Sequence, residues 1–249
     1  NKYLSSISED PDIQATFAIQ EATPAFNPFQ LKTKATHSNG QFTLQGEKTL
    51  VVLGETADLI LVNAEYNGKP DLFIVKRDST IRFKKSPAMG LKATETVNLL
   101  FNNTPAERLG DNDFNYTEFL DLGNLMWCAI AVGTCEAIKK YCIQYANERT
   151  AFGEPISHRQ SVAFMIADMA IEIEAMHMLI LNAASLAEAG KSFHREAYLA
   201  RILCAEKSMK IGTDGVQLLG GHGFTKEHPV ERWYRDLRAT AILHSGLHA

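Results

Sequence analysis

Three glycines, Gly220, Gly221 and Gly223, interrupt a helical pattern in the stretch Gln217-Leu218-Leu219-Gly220-Gly221-His222-Gly223-Phe224. Glycine reaches positive φ without a steric penalty, so this run permits a sharp reversal of the chain. It also lets backbone amides come close to an anion such as a pyrophosphate. A second stretch with chemical reach lies earlier, at Arg149-Thr150-Ala151-Phe152-Gly153-Glu154-Pro155-Ile156. Its guanidinium is a natural phosphate partner, because planar donors match the spacing of two oxygens. On spacing alone the glycine run is also a plain helix-turn-helix corner, with Pro229 suited to the first turn of the next helix. Arg149 alone also reads as a solvated arginine at a helix end.

Two kinds of element must position these groups. From Ile13 to about Glu107 the chain consists of short runs rich in Val, Ile, Leu, Phe and Thr, such as Asp58-Leu59-Ile60-Leu61-Val62 and Asp71-Leu72-Phe73-Ile74-Val75. Asn39-Gly40 and Asn67-Gly68 stand between such runs as hairpin signals, and together these features predict a β-sandwich or barrel. From Asp113 onward the period is helical, with segments at roughly 114–147, 158–189, 193–219 and 229–247. The second segment is apolar around much of its circumference, so it needs cover on several sides, part of it from another subunit or all of it as the central helix of a single bundle. The expected fold is α+β and multi-domain: a β-domain over 1–112 and a C-terminal four-helix bundle over 113–249.

Composition narrows the function. The net charge of −4 offers no basic surface for nucleic acid, and no apolar run is long enough to span a bilayer. Nothing resembles a signal peptide, so a cytoplasmic protein, or a fragment of a longer one, is expected. Cys128, Cys135 and Cys142 recur every seven residues on one predicted helix. About 10 Å of rise separates neighbours, so they neither pair with one another nor share a metal ion. With Cys204 they read as small buried hydrophobes. The histidines show no paired spacing for a metal.

The run from Gln217 to Phe224, followed by His228-Pro229-Val230-Glu231-Arg232-Trp233-Tyr234-Arg235-Asp236, resembles the C-terminal flavin-binding signature of the acyl-CoA dehydrogenase family. Arg149, Phe152, Gly153, Ile156 and Gln160 resemble a second family element, in the family's order. The resemblance implies a β-domain and a helical bundle behind a further helical domain, with Lys2-Tyr3-Leu4 similar to the seam where that front domain ends. It implies FAD as cofactor, an acyl-CoA substrate, an electron-transfer flavoprotein as electron acceptor, and a homo- or hetero-oligomer, dimer or tetramer. By resemblance, Arg149 and Phe152 touch the flavin nucleotide across a dimer interface. Gln160 and Gln217 supply amides to adenosine or pyrophosphate oxygens, and Gly220 and Gly221 allow the close approach. Arg232, Arg235 and Asp236 read as a structural ion-pair cluster.

The flavin-ring half of the family pattern is eroded. Gln20 stands where a hydroxyl bonds the ring, Phe26 where a serine lies near pyrophosphate and substrate, and Val52 where a hydroxyl addresses the flavin N5 region. Each lost hydrogen bond costs about 1 kcal/mol. The family's reaction also needs a carboxylate base of raised pKa. At its usual position this chain has His244. At the alternative position it has Gly123, with Asn124 where an arginine is expected. An imidazole can act as a base near neutral pH. The sequence therefore leaves three readings: an acyl-CoA dehydrogenase, a catalytically silent subunit lending its Arg149 and Gln217 half to a competent partner, or a related flavin- or thioester-binding protein.

Overall fold

A computed structural model describes residues 2–109 and 114–243. Two compact units emerge, one running to Tyr116 and rejoined by Leu243, the other spanning Thr117–Ile242.

The first unit begins with α1 (Lys2–Glu9) and continues with seven strands: β1 (Ala15–Ala18), β2 (Lys34–Ser38), β3 (Gln41–Val52), β4 (Leu59–Tyr66), β5 (Lys69–Lys76), β6 (Ile81–Lys85) and β7 (Thr96–Leu109). Asn39-Gly40 and Asn67-Gly68 both adopt positive φ, at 52° and 77° and at 52° and 79°. Paired positive φ is the signature of the tight turn whose twist matches that of the flanking strands. It fixes the register of β2 on β3 from Ser38↔Gln41 and of β4 on β5 from Tyr66↔Lys69. The order β4-β2-β3-β7-β5 returns to β4, so these strands close on themselves. This is a barrel, which decides between the two β-architectures the sequence allowed. β1 lies parallel on β4, and β6 is added to β7. Register shifts at Leu44/Gln45 and Lys48/Val51 bend the long β3 against β7. Leu44, Ile60, Val62, Phe73, Val75, Leu99 and Phe101 fill the interior.

One ionic group is sealed into this unit. Lys48 Nζ lies 2.8 Å from Glu21 Oε1, with side-chain exposures of 0% and 3%. Glu21 Oε1 also accepts from Thr33 N–H at 2.9 Å, and Oε2 accepts from Lys32 N–H at 2.8 Å. Burial pushes the Glu21 carboxyl up, but Lys48 and the two amides outweigh it and hold it below the usual range. Lys48 has fewer partners and deeper burial, and burial brings it down to about 8 against the pull of Glu21.

The second unit holds the remainder of α2 (Tyr116–Glu148) together with β8 (Thr150–Ala151), β9 (Glu154–Pro155), α3 (Gln160–Glu188), α4 (His194–Leu219) and α5 (Val230–Ile242). Cys128, Ala131, Val132, Cys135 and Ile138 of α2 share one core with Met169, Ile173 and Met176 of α3 and with Ala197, Ala200, Cys204 and Ile211 of α4. All four cysteines are free and buried. Gly190, at φ 64°, closes α3, and Lys191 N–H bonds back to Leu186 O at 2.9 Å. The expected breadth of the apolar surface on α3 is real. Phe164, Ile171 and Met178 stand every seventh residue and remain about two-thirds exposed. Among the described residues, no helix is long and apolar enough to cross a membrane.

Candidate functional site

The glycine corner is built by three residues with three different needs. Gly220 leaves the helix at φ 58°, ψ −131°, a conformation costly for any residue with a Cβ. A 3-10 turn, Gly220–Phe224, follows. A Cβ at Gly223 would lie 2.2 Å from Val216 O, so this glycine serves packing. A Cβ on Gly220 or Gly221 would meet nothing within 4 Å, so open space lies over that pair. Phe224 ends the turn 88% exposed. Pro229 O accepts from Trp233 N–H at 3.0 Å and opens α5.

Tyr145, near the end of α2, ties this corner down. Its hydroxyl lies 2.8 Å from His222 Nδ1 and 3.4 Å from Leu219 O. One turn later Arg149 N–H donates to Tyr145 O at 2.8 Å, and Arg149 O accepts from Ile156 N–H at 2.9 Å. Arg149 and the corner are thereby gathered at one end of the helical unit. The β8–β9 hairpin follows Arg149 directly, with Phe152 and Gly153 at φ 57° and 87°. A bulky residue in the left-handed region is strained by about 1 kcal/mol or more. Phe152 is nevertheless held 94% exposed, with the Arg159 guanidinium 5.3 Å from its ring centroid. Strain spent on presenting an aromatic ring to solvent points to a binding surface. Gln160 opens α3 directly after the hairpin, and Gln217 lies in the last turn of α4; both are exposed, as is Arg149. An open glycine pair and an exposed guanidinium, two amides and an aromatic ring fit the nucleotide part of a FAD.

The ring-facing positions of the first unit offer less. Phe26 is only 3% exposed and packs inward, and Val52 is half-buried. The Gln20 carbonyl takes Thr49 N–H at 2.8 Å, while its side-chain Oε1 is a buried acceptor with no partner among the described residues. None of the three replaces the hydroxyl donors of the family pattern.

The proposed base His244 lies outside the described residues. Gly123, the alternative position, sits half-buried in α2 with open space at its Cβ direction and no acid-base group of its own. Asn124 Oδ1 beside it is buried without a partner among the described residues. Two groupings were not anticipated from the sequence. Asp121, 6% exposed, takes His194 Nδ1 at 2.9 and 3.1 Å on its two oxygens. Burial pushes this carboxyl up, with the His194 contact pulling the other way. The pair ties α2 to the first turn of α4. Glu136 of α2 also meets Glu174 and His177 of α3, with possible ligand atoms all within 4.8 Å of one another. The one-turn spacing of Glu174 and His177 was the available signal, since it places both on one helix face. Of the anticipated ion-pair cluster, Arg235 bonds Glu231 one turn earlier, at 2.8 and 3.1 Å.

Residues 115–246 match the family described as acyl-CoA dehydrogenase, C-terminal domain. The chain belongs to the acyl-CoA dehydrogenase family. It is 32% identical to an acyl-CoA dehydrogenase of Bacillus subtilis, over 97% of this chain and 67% of that protein. It is also 32% identical to the caffeyl-CoA reductase-Etf complex subunit CarC of Acetobacterium woodii, over 97% of this chain and 67% of the relative. Among solved structures, the butyryl-CoA dehydrogenase of Megasphaera elsdenii superposes with a TM-score of 0.88 at 28% identity, covering 99% of this chain and 68% of that one. The chain thus spans about two thirds of the length of these acyl-CoA dehydrogenase relatives. The family is one of FAD-dependent flavoprotein oxidoreductases.

Proposed function

We propose that this chain is a FAD-binding subunit that takes part in the α,β-dehydrogenation of an acyl-CoA thioester, with electrons passing on to an electron-transfer flavoprotein. The observation that carries the proposal is the exposed group at one end of the helical unit: Arg149, Phe152, Gln217, Gly220 and Gly221, with Gln160 close by in sequence. FAD supplies the hydride-accepting chemistry when bound. Arg149 neutralises pyrophosphate charge, the glycine pair admits it to the backbone, the two glutamines address polar nucleotide atoms, and Phe152 covers an apolar face. Their exposure within one chain suits a flavin shared with a neighbouring copy or paralogue. The uncovered stripe of Phe164, Ile171 and Met178 supports such association. His244 is the residue proposed to take the α-proton. An oligomer is the setting this reading requires, with a cytoplasmic location proposed for it.

A second reading rests on the first unit. Phe26 turned inward, and Gln20 with its side-chain Oε1 unpartnered among the described residues, leave the ring half poor in donors. This favours a subunit that lends its nucleotide half to a competent partner's flavin. Visible spectroscopy of the protein purified alone separates the two. A bound yellow flavin that bleaches anaerobically with a short-chain acyl-CoA supports the first. A colourless protein that acquires flavin only with a co-purifying paralogue supports the second. A colourless protein that takes up FAD in neither setting overturns both.

A further inference from the structure

Glu136, near the middle of α2, faces Glu174 and His177, near the middle of α3. Possible ligand atoms of the three lie within 4.8 Å of one another. Their sequence neighbours Cys135 and Ile138 on α2, and Ile173 and Met176 on α3, are fully buried in one core. The backbone that carries each group is therefore held rigidly. Lys139 Nζ takes Glu136 Oε1 at 2.8 Å and leaves the second carboxylate oxygen over. The Glu174 carboxylate and the His177 ring make no hydrogen bond or ion pair with any described residue. Glu174 is exposed and shares a helix face with Ile171 and Met178, so it interrupts the uncovered apolar stripe. Apolar neighbours give a carboxylate no partner. The even scatter of histidines along the chain could not reveal this cluster, because it holds a single imidazole.

We propose that Glu136, Glu174 and His177 form a divalent-metal site, suited to zinc, that clamps α2 to α3. It is independent of the flavin reading. The donor set decides the class of ion. An imidazole favours zinc and its transition-metal neighbours over magnesium or calcium, and no thiolate or thioether is present to select a soft ion. Two carboxylates cancel the charge of a dication. Three protein donors leave a further position, which water fills. Metal–ligand bonds of about 2.1 Å in a tetrahedron set ligand atoms about 3.4 Å apart. The donors must therefore close by at most about 1.4 Å, within reach of a side-chain rotation at an exposed glutamate. Lys139 keeps its oxygen of Glu136 and orients that carboxylate, as groups bonded to a ligand do in metal sites. Glu-x-x-His on one helix with a glutamate from a facing helix is an arrangement that helical bundles use to hold metal ions.

The test uses the full chain, freed of metal with a chelator and titrated with zinc chloride by calorimetry. The wild type should take up one zinc ion per chain, and excess magnesium chloride should not displace it. Glu174→Gln, His177→Gln and Glu136→Gln should each weaken binding by about 10–100-fold or more. His37→Gln, on β2 of the other unit, should leave it unchanged. Glu174 is exposed, so its variant should melt with the metal-free wild type, which keeps the test valid if Glu136→Gln destabilises the fold. Zinc should raise the melting temperature of the wild type and not that of His177→Gln. X-ray absorption at the zinc edge should show one imidazole and oxygen donors. Wild-type affinity in Glu174→Gln or His177→Gln, sulfur around the zinc, or no uptake by the wild type overturns the site. Wild-type affinity in all three variants shows an adventitious ion only.

Discussion

Lys48 Nζ and Glu21 Oε1 meet at 2.8 Å where neither side chain reaches water. The ammonium reaches one further acceptor, Ile19 O at 3.4 Å, whereas Glu21 gathers two backbone amides besides. Removing one partner leaves a buried charge, which typically costs 3–5 kcal/mol. Lys48→Met should therefore lower the stability of the first unit by about that much, whereas Lys48→Met with Glu21→Gln should recover a part of the loss. Chemical denaturation followed by near-ultraviolet circular dichroism measures both. A double-variant loss equal to the sum of the Lys48→Met and Glu21→Gln losses would show that the pair is not coupled.

The same pair sets a pH dependence. Glu21 titrates below its ordinary value in the folded chain. Its stabilisation is present above the unfolded value, about 4.5, and is lost as pH falls through the lower folded value. Lys48 falls from 10.5 to about 8. Between those values the unfolded chain holds the proton more often, so this group's contribution grows as pH rises across the window. Denaturation midpoints of the wild type should fall in acid, and Glu21→Gln should weaken that dependence. An unchanged acid limb in the variant would count against this account.

Gly221 and Gly223 are separable. Gly221→Ala places a methyl in open space, so stability should move by no more than about 0.5 kcal/mol while FAD or ADP-ribose affinity falls. Gly223→Ala drives a methyl against Val216 O and should cost about 1–3 kcal/mol through displaced backbone. Melting temperature and calorimetric binding together distinguish them. A Gly221→Ala protein that binds as tightly as wild type would remove the glycine pair from the site.

Phe152 trades stability for presentation. Phe152→Gly relieves the positive φ, and melting should rise by the equivalent of about 0.5–1 kcal/mol, offset in part by the freer unfolded chain. Nucleotide affinity should drop in the same variant, as expected where strain supports function. A variant gaining stability with unaltered affinity would make the ring a bystander.

The thiols should be silent in the native state. Cys135 and Cys142 are pushed up to about 12 by burial, with Glu136 and Asp214 respectively adding to the effect. Thiolate is the reactive form, so a disulfide reagent near neutral pH should label the folded chain slowly and all four cysteines after unfolding. Rapid native labelling of Cys135 or Cys142 would contradict their burial.

The amino-acid order by itself determined the succession of a β-rich part and a helical part. Strand and helix periods are written locally, as in Leu59–Tyr66 and Gln160–Glu188. The Asn-Gly pairs announced their hairpins because positive φ is a property of single residues. The flavin signature was legible for the same reason: it is contiguous on either side of a helix. Only tertiary structure decided the rest. Barrel closure depends on which edge β5 finds, and that pairing joins residues far apart in the chain. Tyr145 was unremarkable as one aromatic residue of α2 until folding set it against His222. Asp121 carried no signal of its own along the chain; folding buried it against His194. Distances across a packed core arise from the meeting of elements, and no local pattern along one of them encodes the meeting point.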